Sequence, residues 1–102
     1  MDTVVEKMGG AALVRLSGRF DFNAHRNFRE AVDKAMTLPE TTSIDVDLAE
    51  VTYLDSSALG MLLMLRDKAR GGNHVINLLR PAGSVKQVLE IANFSKLFNI
   101  VD

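Results

Sequence analysis

The sequence of 102 residues has no cysteine, two prolines and few aromatic side chains, which make up 6% of the chain. Without cysteine the protein has no disulfide bond, no catalytic thiol and no zinc site built on thiolates, a composition that fits a reducing compartment. The longest apolar stretch, residues 58–65, is far shorter than the roughly 20 residues that span a bilayer. Residues 1–10 lack the apolar core of a signal peptide. We therefore expect a cytoplasmic protein that does not bind membranes.

The chain also lacks an excess of charge of either sign. Its 12 Lys and Arg residues stand against 13 Asp and Glu residues, which gives a net charge of −1. The cations are scattered, so a protein that binds nucleic acid through a basic face is not expected. With 47% hydrophobic and 25% charged residues, the composition is that of one ordinary globular domain over residues 1–102.

Hydrophobic periodicity along the chain predicts the order β-β-α-β-α-β-α, followed by a short apolar tail. Strands are predicted at residues 3–7, 11–16, 43–48 and 74–79, with a turn at Gly9-Gly10, and residues 51–54 lead into the second helix. Helices are predicted at residues 24–36, with Asn23 as N-cap, at about 57–70, ended by Gly71-Gly72, and after Pro81. The spacing of Phe20, Phe22 and Phe28 places all three rings in the core. The alternation of strands and helices indicates an α/β domain with a mixed sheet.

The second predicted helix is more apolar than a surface helix needs to be. One face of the helical wheel carries Ala58, Leu62, Leu65 and Ala69, which we expect to contact the sheet. The opposite face carries Gly60, Leu63, Met64 and Asp67. Either the helix is buried all round, or its outer face is a small apolar surface for a partner, where methionine adapts well to another contour.

Residues Asp55-Ser56-Ser57 begin this helix, and they allow two interpretations. One side chain can act as an N-cap that accepts a free backbone N–H. Alternatively, a serine hydroxyl at this junction is a phosphorylation site. The helix N-terminus would stabilise the phosphate, which adds about −1.5 to −2 units of charge.

The motifs of common enzymes are missing from the chain. No Gly-x-x-x-x-Gly-Lys-Ser/Thr loop is present, and Ser56 lacks the Gly-x-Ser-x-Gly setting of a hydrolase nucleophile. The two histidines, His25 and His74, lie in different elements, and neither pairs with a second ligand at metal-binding spacing. We expect no enzymatic activity, no metal and no cofactor; a small hydrolase that uses Ser56 is the weakest alternative.

Two segments resemble the STAS-domain anti-sigma factor antagonists. Val51-Thr52-Tyr53-Leu54-Asp55-Ser56-Ser57-Ala58-Leu59-Gly60 is similar to the family's apolar strand that ends in Asp-Ser-Ser/Thr-Gly-Leu-Gly, with Ala58 at the position of the commoner glycine. Leu16-Ser17-Gly18-Arg19-Phe20-Asp21 is similar to its Leu-x-Gly-x-Leu-Asp segment. The resemblance extends over nearly the whole chain and implies one STAS domain with the helices packed mainly on one face of the sheet.

The resemblance also implies a mechanism of partner switching. Ser56 corresponds to the phosphoacceptor, Asp21 and Asp55 to acidic neighbours, and Ser57 to the adjacent hydroxyl that is not modified. The unphosphorylated protein would bind an anti-sigma factor; a serine kinase of the GHKL type would abolish binding, and a PP2C-type phosphatase would restore it. The expected binding surface comprises Ser57, Gly60, Leu63, Met64 and Asp67. The alternative is a STAS subunit of a transport or stress-signalling complex that docks constitutively through the second helix.

Overall fold

A computed structural model describes all residues from Met1 to Asp102. The elements are β1 (Asp2–Met8), β2 (Ala11–Phe20), α1 (His25–Met36), β3 (Ser43–Leu54), α2 (Ser56–Gly71), β4 (Val75–Leu79), α3 (Gly83–Ile91) and β5 (Asn99–Val101). Single 3-10 turns, Phe22–Ala24 and Phe94–Lys96, precede α1 and β5. No helix is both long enough and apolar enough to cross a membrane.

The five strands form one mixed sheet in the order β1-β2-β3-β4-β5. β1 and β2 form an antiparallel hairpin, and the strands from β2 to β5 run parallel. Each parallel connection contains a helix and moves one position in the same direction across the sheet. Because such connections are right-handed, the helices come to lie on the same face. Buried side chains of all three helices belong to one core cluster, and the predicted α/β architecture is confirmed.

β3 is one continuous strand of 12 residues, whereas the alternation predicted a strand only at residues 43–48. Its pairing with β2 shifts register twice, and each shift adds one residue to β3. Such β-bulges interrupt the two-residue alternation, so Leu48, Val51 and Leu54 are buried at intervals of three. The bulges let β3 run on to the edge of the sheet where α2 begins.

The apolar tail is a fifth strand, which the sequence did not predict. β5 has three residues and pairs with β4 in parallel, with Ile100 opposite Leu78. A strand of this length is too short to show alternation. Just before it, the rings of Phe94 and Phe98 stack with their centroids 5.2 Å apart.

The prediction for the three phenylalanines is correct for two of them. Phe20 and Phe28 are fully buried and their ring centroids lie 5.0 Å apart. Phe22 is 68% exposed, because it opens the 3-10 turn, whose buried residue is Ala24.

The face of the sheet opposite the helices is held together by polar pairs. Arg15 contacts Glu6 at 3.3 Å. Asp47 is buried, accepts the N–H of Ala49 and pairs with Arg80. Partner groups within the protein therefore compensate the burial of this carboxylate.

Candidate functional site

β2 and β3 end together at one edge of the sheet. Phe20 and Leu54 form the last pair of the two strands, and the N–H of Asp55 donates to the carbonyl oxygen of Phe20 at 3.3 Å. Asp21 and Asp55 therefore leave neighbouring parallel strands side by side, and Ser56 follows as the first residue of α2.

Both aspartates cap the helical turns that follow them. Oδ1 of Asp21 accepts the backbone N–H of Asn23 at 3.0 Å, and Oδ1 of Asp55 accepts that of Ala58 at 3.0 Å. Each carboxylate thus satisfies a donor that a helix start leaves unpaired. The prediction of Asn23 as N-cap is wrong, since Asn23 donates to the cap and does not provide it.

The side chain of Ser56 has no structural task in the protein. Asp55 supplies the cap, so neither serine needs to. Ser56 and Ser57 are both exposed, and neither hydroxyl is hydrogen-bonded within the protein. The backbone N–H groups of these two residues also have no acceptor in the chain. The hydroxyl of Ser56 therefore lies in water, next to free backbone donors and the Asp55 carboxylate.

The inner face of α2 is the one that the helical wheel predicted. Ala58, Leu62, Leu65 and Ala69 are completely buried, and Met61 is buried beside them. This face packs against the sheet, whereas Ser56, the first residue of α2, is exposed.

The outer face of α2 is only partly the apolar surface that the sequence predicts. Gly60 and Asp67 are exposed and Leu63 is 37% exposed. Met64, expected to be exposed as well, is half-buried. It lies on the side of α2 that faces α1, where Lys68 contacts Asp33 at 3.2 Å. Leu63 is thus the more accessible of the two apolar side chains.

Gly60 has no intramolecular reason to be glycine. An added Cβ would meet no atom within 4 Å, and its φ angle is not in the left-handed region. In mid-helix glycine is about 1 kcal/mol less favourable than alanine. What glycine does provide at this position is room for another surface to approach the helix backbone.

Three exposed side chains beside the site were not identified from the sequence. The guanidinium of Arg19 lies 4.1 Å above the ring of Tyr53, and Arg19 Nε is 3.6 Å from Oδ2 of Asp21. Phe22 follows directly. The pairing of Arg19 with Tyr53 depends on the second bulge between β2 and β3, which periodicity cannot locate.

No group of three or more His, Cys, Asp or Glu side chains is arranged to hold a metal ion. One pocket is present, with a volume of about 170 Å³, between α3 and β5. None of its lining residues belongs to the edge around Ser56. The edge around Ser56 therefore contains no pocket.

The chain belongs to the STAS-domain family. The family model described as "Mlab, STAS domain" matches residues 3–102. A STAS-domain containing protein of Pseudomonas aeruginosa, PA14_20770, is 47% identical over 92 residues, which is 90% of this chain and 89% of that protein.

Solved structures of anti-sigma factor antagonists have the same fold. The unphosphorylated form of SpoIIAA is similar with a TM-score of 0.73 at 20% identity, over 99% of this chain and 88% of that one. The phosphorylated form of SpoIIAA from Bacillus gives a TM-score of 0.71 at 19% identity, over 99% and 92%. An antagonist from Mycobacterium paratuberculosis gives 0.86 at 19% identity, over 98% and 84%.

Proposed function

We propose that this STAS-domain protein is an anti-sigma factor antagonist that phosphorylation of Ser56 switches off. The observation that carries the proposal is the free hydroxyl of Ser56. It is exposed at the first residue of α2, and the fold does not use it because Asp55 provides the cap. A side chain with no structural role can be modified without unfolding the domain.

A phosphate on Ser56 would find both stabilising and repulsive groups. The free N–H groups of Ser56 and Ser57 and the helix dipole favour an anion at this position. The carboxylates of Asp55 and Asp21 lie on the same edge and add negative charge. A bound partner would then have to desolvate a dianion beside two carboxylates, which costs several kcal/mol unless cations of the partner compensate it.

The binding surface in this proposal is the outer face of α2. It comprises Ser57, Gly60, Leu63, Met64 and Asp67. Gly60 allows close approach, Leu63 supplies exposed apolar area, and Asp67 gives the surface a polar rim. Ser56 lies at the N-terminal end of the same helix, so a phosphate there borders the contact.

The proposed modifying enzymes are a serine kinase of the GHKL type and a PP2C-type phosphatase. Asp21 and Asp55 each use one carboxylate oxygen as a cap; the second oxygen of Asp55 makes no hydrogen bond, and that of Asp21 lies 3.6 Å from Arg19 Nε. Those second oxygens can orient the hydroxyl, or approach the magnesium ion that a kinase brings with its nucleotide. This role remains secondary to their capping role.

The proposal is tested with the unmodified and the Ser56-phosphorylated protein as baits in parallel. Proteins captured from extract of the source cells are identified, and each is then assayed for binding to a sigma factor with and without this chain. We expect a sigma-binding protein on the unmodified bait alone, and release of its sigma factor when the chain is added. A captured partner that binds both baits equally contradicts the proposal.

The acceptor is tested separately with Ser56→Ala and Ser57→Ala, two matched removals of an exposed hydroxyl. We expect phosphate on Ser57→Ala and none on Ser56→Ala, measured as intact mass of protein from cells. If wild-type protein carries no phosphate and copurifies stably with a large complex, constitutive docking is the correct function and Ser56 is not a switch.

A further inference from the structure

The side chain of Arg19 is held in place near the proposed switch, but its N–H donors form no hydrogen bond within the protein. Its guanidinium stacks on Tyr53 with 4.1 Å to the ring centroid, a favourable cation–π arrangement. Its nearest carboxylate oxygen, on Asp21, is 3.6 Å away, which is too long for a hydrogen bond. The side chain is 64% exposed, so its N–H donors point into water in an orientation that Tyr53 fixes.

The register of the sheet places Arg19 at the same end of the strands as Ser56. Arg19 pairs with Tyr53 across β2 and β3, strands that are about 4.8 Å apart. Ser56 follows Tyr53 by three residues, at most about 11 Å along the chain. The contact with Asp21 shows that the guanidinium is turned towards the strand ends, where α2 begins.

The basic residues of α2 lie far from its first residue or have other partners. The nearest basic residue of α2 in sequence is Arg66, ten residues and about 15 Å further along the helix axis, and it donates to the carbonyl of Leu97. Lys68 contacts Asp33 on α1. Among the basic residues of β2, β3 and α2, Arg19 is therefore the one nearest to Ser56 in the register of the sheet.

We propose that Arg19 binds the phosphate of phosphorylated Ser56, an inference that rests on the proposed function. The planar guanidinium offers two parallel N–H donors to phosphate oxygens. A phosphate carries more charge than the single carboxylate of Asp21, so Arg19 moves from Tyr53 and Asp21 to the phosphate. Phosphorylation then changes the surface at two points: it adds the anion and it uncovers Tyr53.

The test uses full-length protein with phosphoserine incorporated at position 56 during expression, so no kinase is needed. The second pKa of the phosphate, ordinarily about 6, is measured by phosphorus NMR titration. A bound guanidinium lowers this pKa. We expect it to rise by roughly half a unit to one unit in Arg19→Gln, and by less in Arg19→Lys, which keeps the charge without the planar fork.

Arg15→Gln is the matched control. Arg15 lies four residues earlier on β2, is similarly exposed and contacts Glu6; its removal should leave the phosphate pKa unchanged. A second readout comes from Tyr53, the single tyrosine of a chain without tryptophan. Phosphorylation should change the tyrosine fluorescence of the wild type and leave that of Arg19→Gln unaltered.

Equal phosphate pKa values in the wild type and Arg19→Gln would overturn the inference. It would also be overturned if Arg19→Gln weakened partner binding of the unmodified protein while the titration stayed the same, since Arg19 would then bind a partner carboxylate. Because the phosphate is incorporated synthetically, these results do not depend on modification in cells. Absence of phosphate in cells contradicts the proposed function and leaves the chemistry of Arg19 to this titration.

Discussion

Asp55 and Ser56 are neighbours with separate roles at the residue scale. The carboxylate of Asp55 caps α2 through the N–H of Ala58, and the hydroxyl of Ser56 is exposed and makes no hydrogen bond within the protein. From the sequence alone, any side chain of Asp55-Ser56-Ser57 was a candidate cap. The choice depends on backbone angles at the strand–helix junction, where Asp55 is extended, and these are a property of the assembled sheet.

This separation of roles predicts different effects on stability. Asp55→Ala should lower the free energy of unfolding by about 1 kcal/mol, because a backbone donor loses its acceptor. Ser56→Ala should change it by less than about 0.5 kcal/mol. Urea denaturation measures both, and Asp55→Asn, which keeps a capping oxygen, is the control. A loss in Ser56→Ala as large as in Asp55→Ala would show that the serine has a structural role after all.

At the scale of the element, α2 shows which properties of a helix hydrophobic periodicity predicts and which it does not. The wheel predicted the buried face correctly, since burial against a sheet follows the helical repeat. It overestimated the exposure of Met64, because the wheel has no information about the neighbouring helix α1. In β3 the alternation failed at the bulges, and Phe22 was misassigned because a 3-10 turn changes the direction of its side chain.

Gly60→Ala should have opposite effects on folding and on binding. Alanine fits without contact at this position and should stabilise the protein by up to about 1 kcal/mol. Its methyl group should weaken partner binding, because it separates the two surfaces. Gly71→Ala, at the far end of the same helix and also in open space, should stabilise without affecting affinity. Unchanged affinity for Gly60→Ala, by calorimetry, would exclude close approach at this point.

Leu63→Lys should reduce partner affinity at least tenfold, about 1.4 kcal/mol. Leu63 is the most accessible apolar side chain of the outer face, and a lysine there places a charge in the contact. The midpoint of thermal unfolding should fall less than in Met64→Lys, since Leu63 is the more exposed of the two side chains. Met64→Lys should reduce affinity as well, with some loss of stability. Ile91→Lys, on α3 and 82% exposed in the wild type, is the control; if it matched Leu63→Lys, the docking surface would lie elsewhere.

For the whole molecule, the mixed sheet with its helical connections follows from the sequence, whereas the order of the strands and the edges of the sheet do not. Alternating strands and helices predict parallel pairing with crossovers, and the resemblance supplies one covered face. β5 was not predicted because a strand of three residues is too short to show alternation and is recognised only by its pairing with β4. The edge that carries Asp21, Arg19, Tyr53 and Ser56 depends on where β2 and β3 end, and the two bulges set that position.

The charge of the whole molecule should matter less than the charge at the contact. The unmodified chain has a net charge of −1, so long-range repulsion is weak before and after modification. The affinity ratio between unmodified and phosphorylated protein should therefore change less than about threefold when salt is raised from 0.1 to 1 M, where the Debye length falls from about 10 to about 3 Å. Binding titrations at both salt concentrations measure the ratio. A ratio close to one at 1 M would mean that long-range repulsion causes the switch.

We propose that the free hydroxyl of Ser56 controls docking on α2. Calorimetric titration of the captured sigma-binding partner into the unmodified chain and into the chain with phosphoserine at position 56 tests it most directly. The account predicts binding at least 100-fold weaker for the phosphorylated chain, about 2.7 kcal/mol. Equal affinities, with both chains folded, would contradict it.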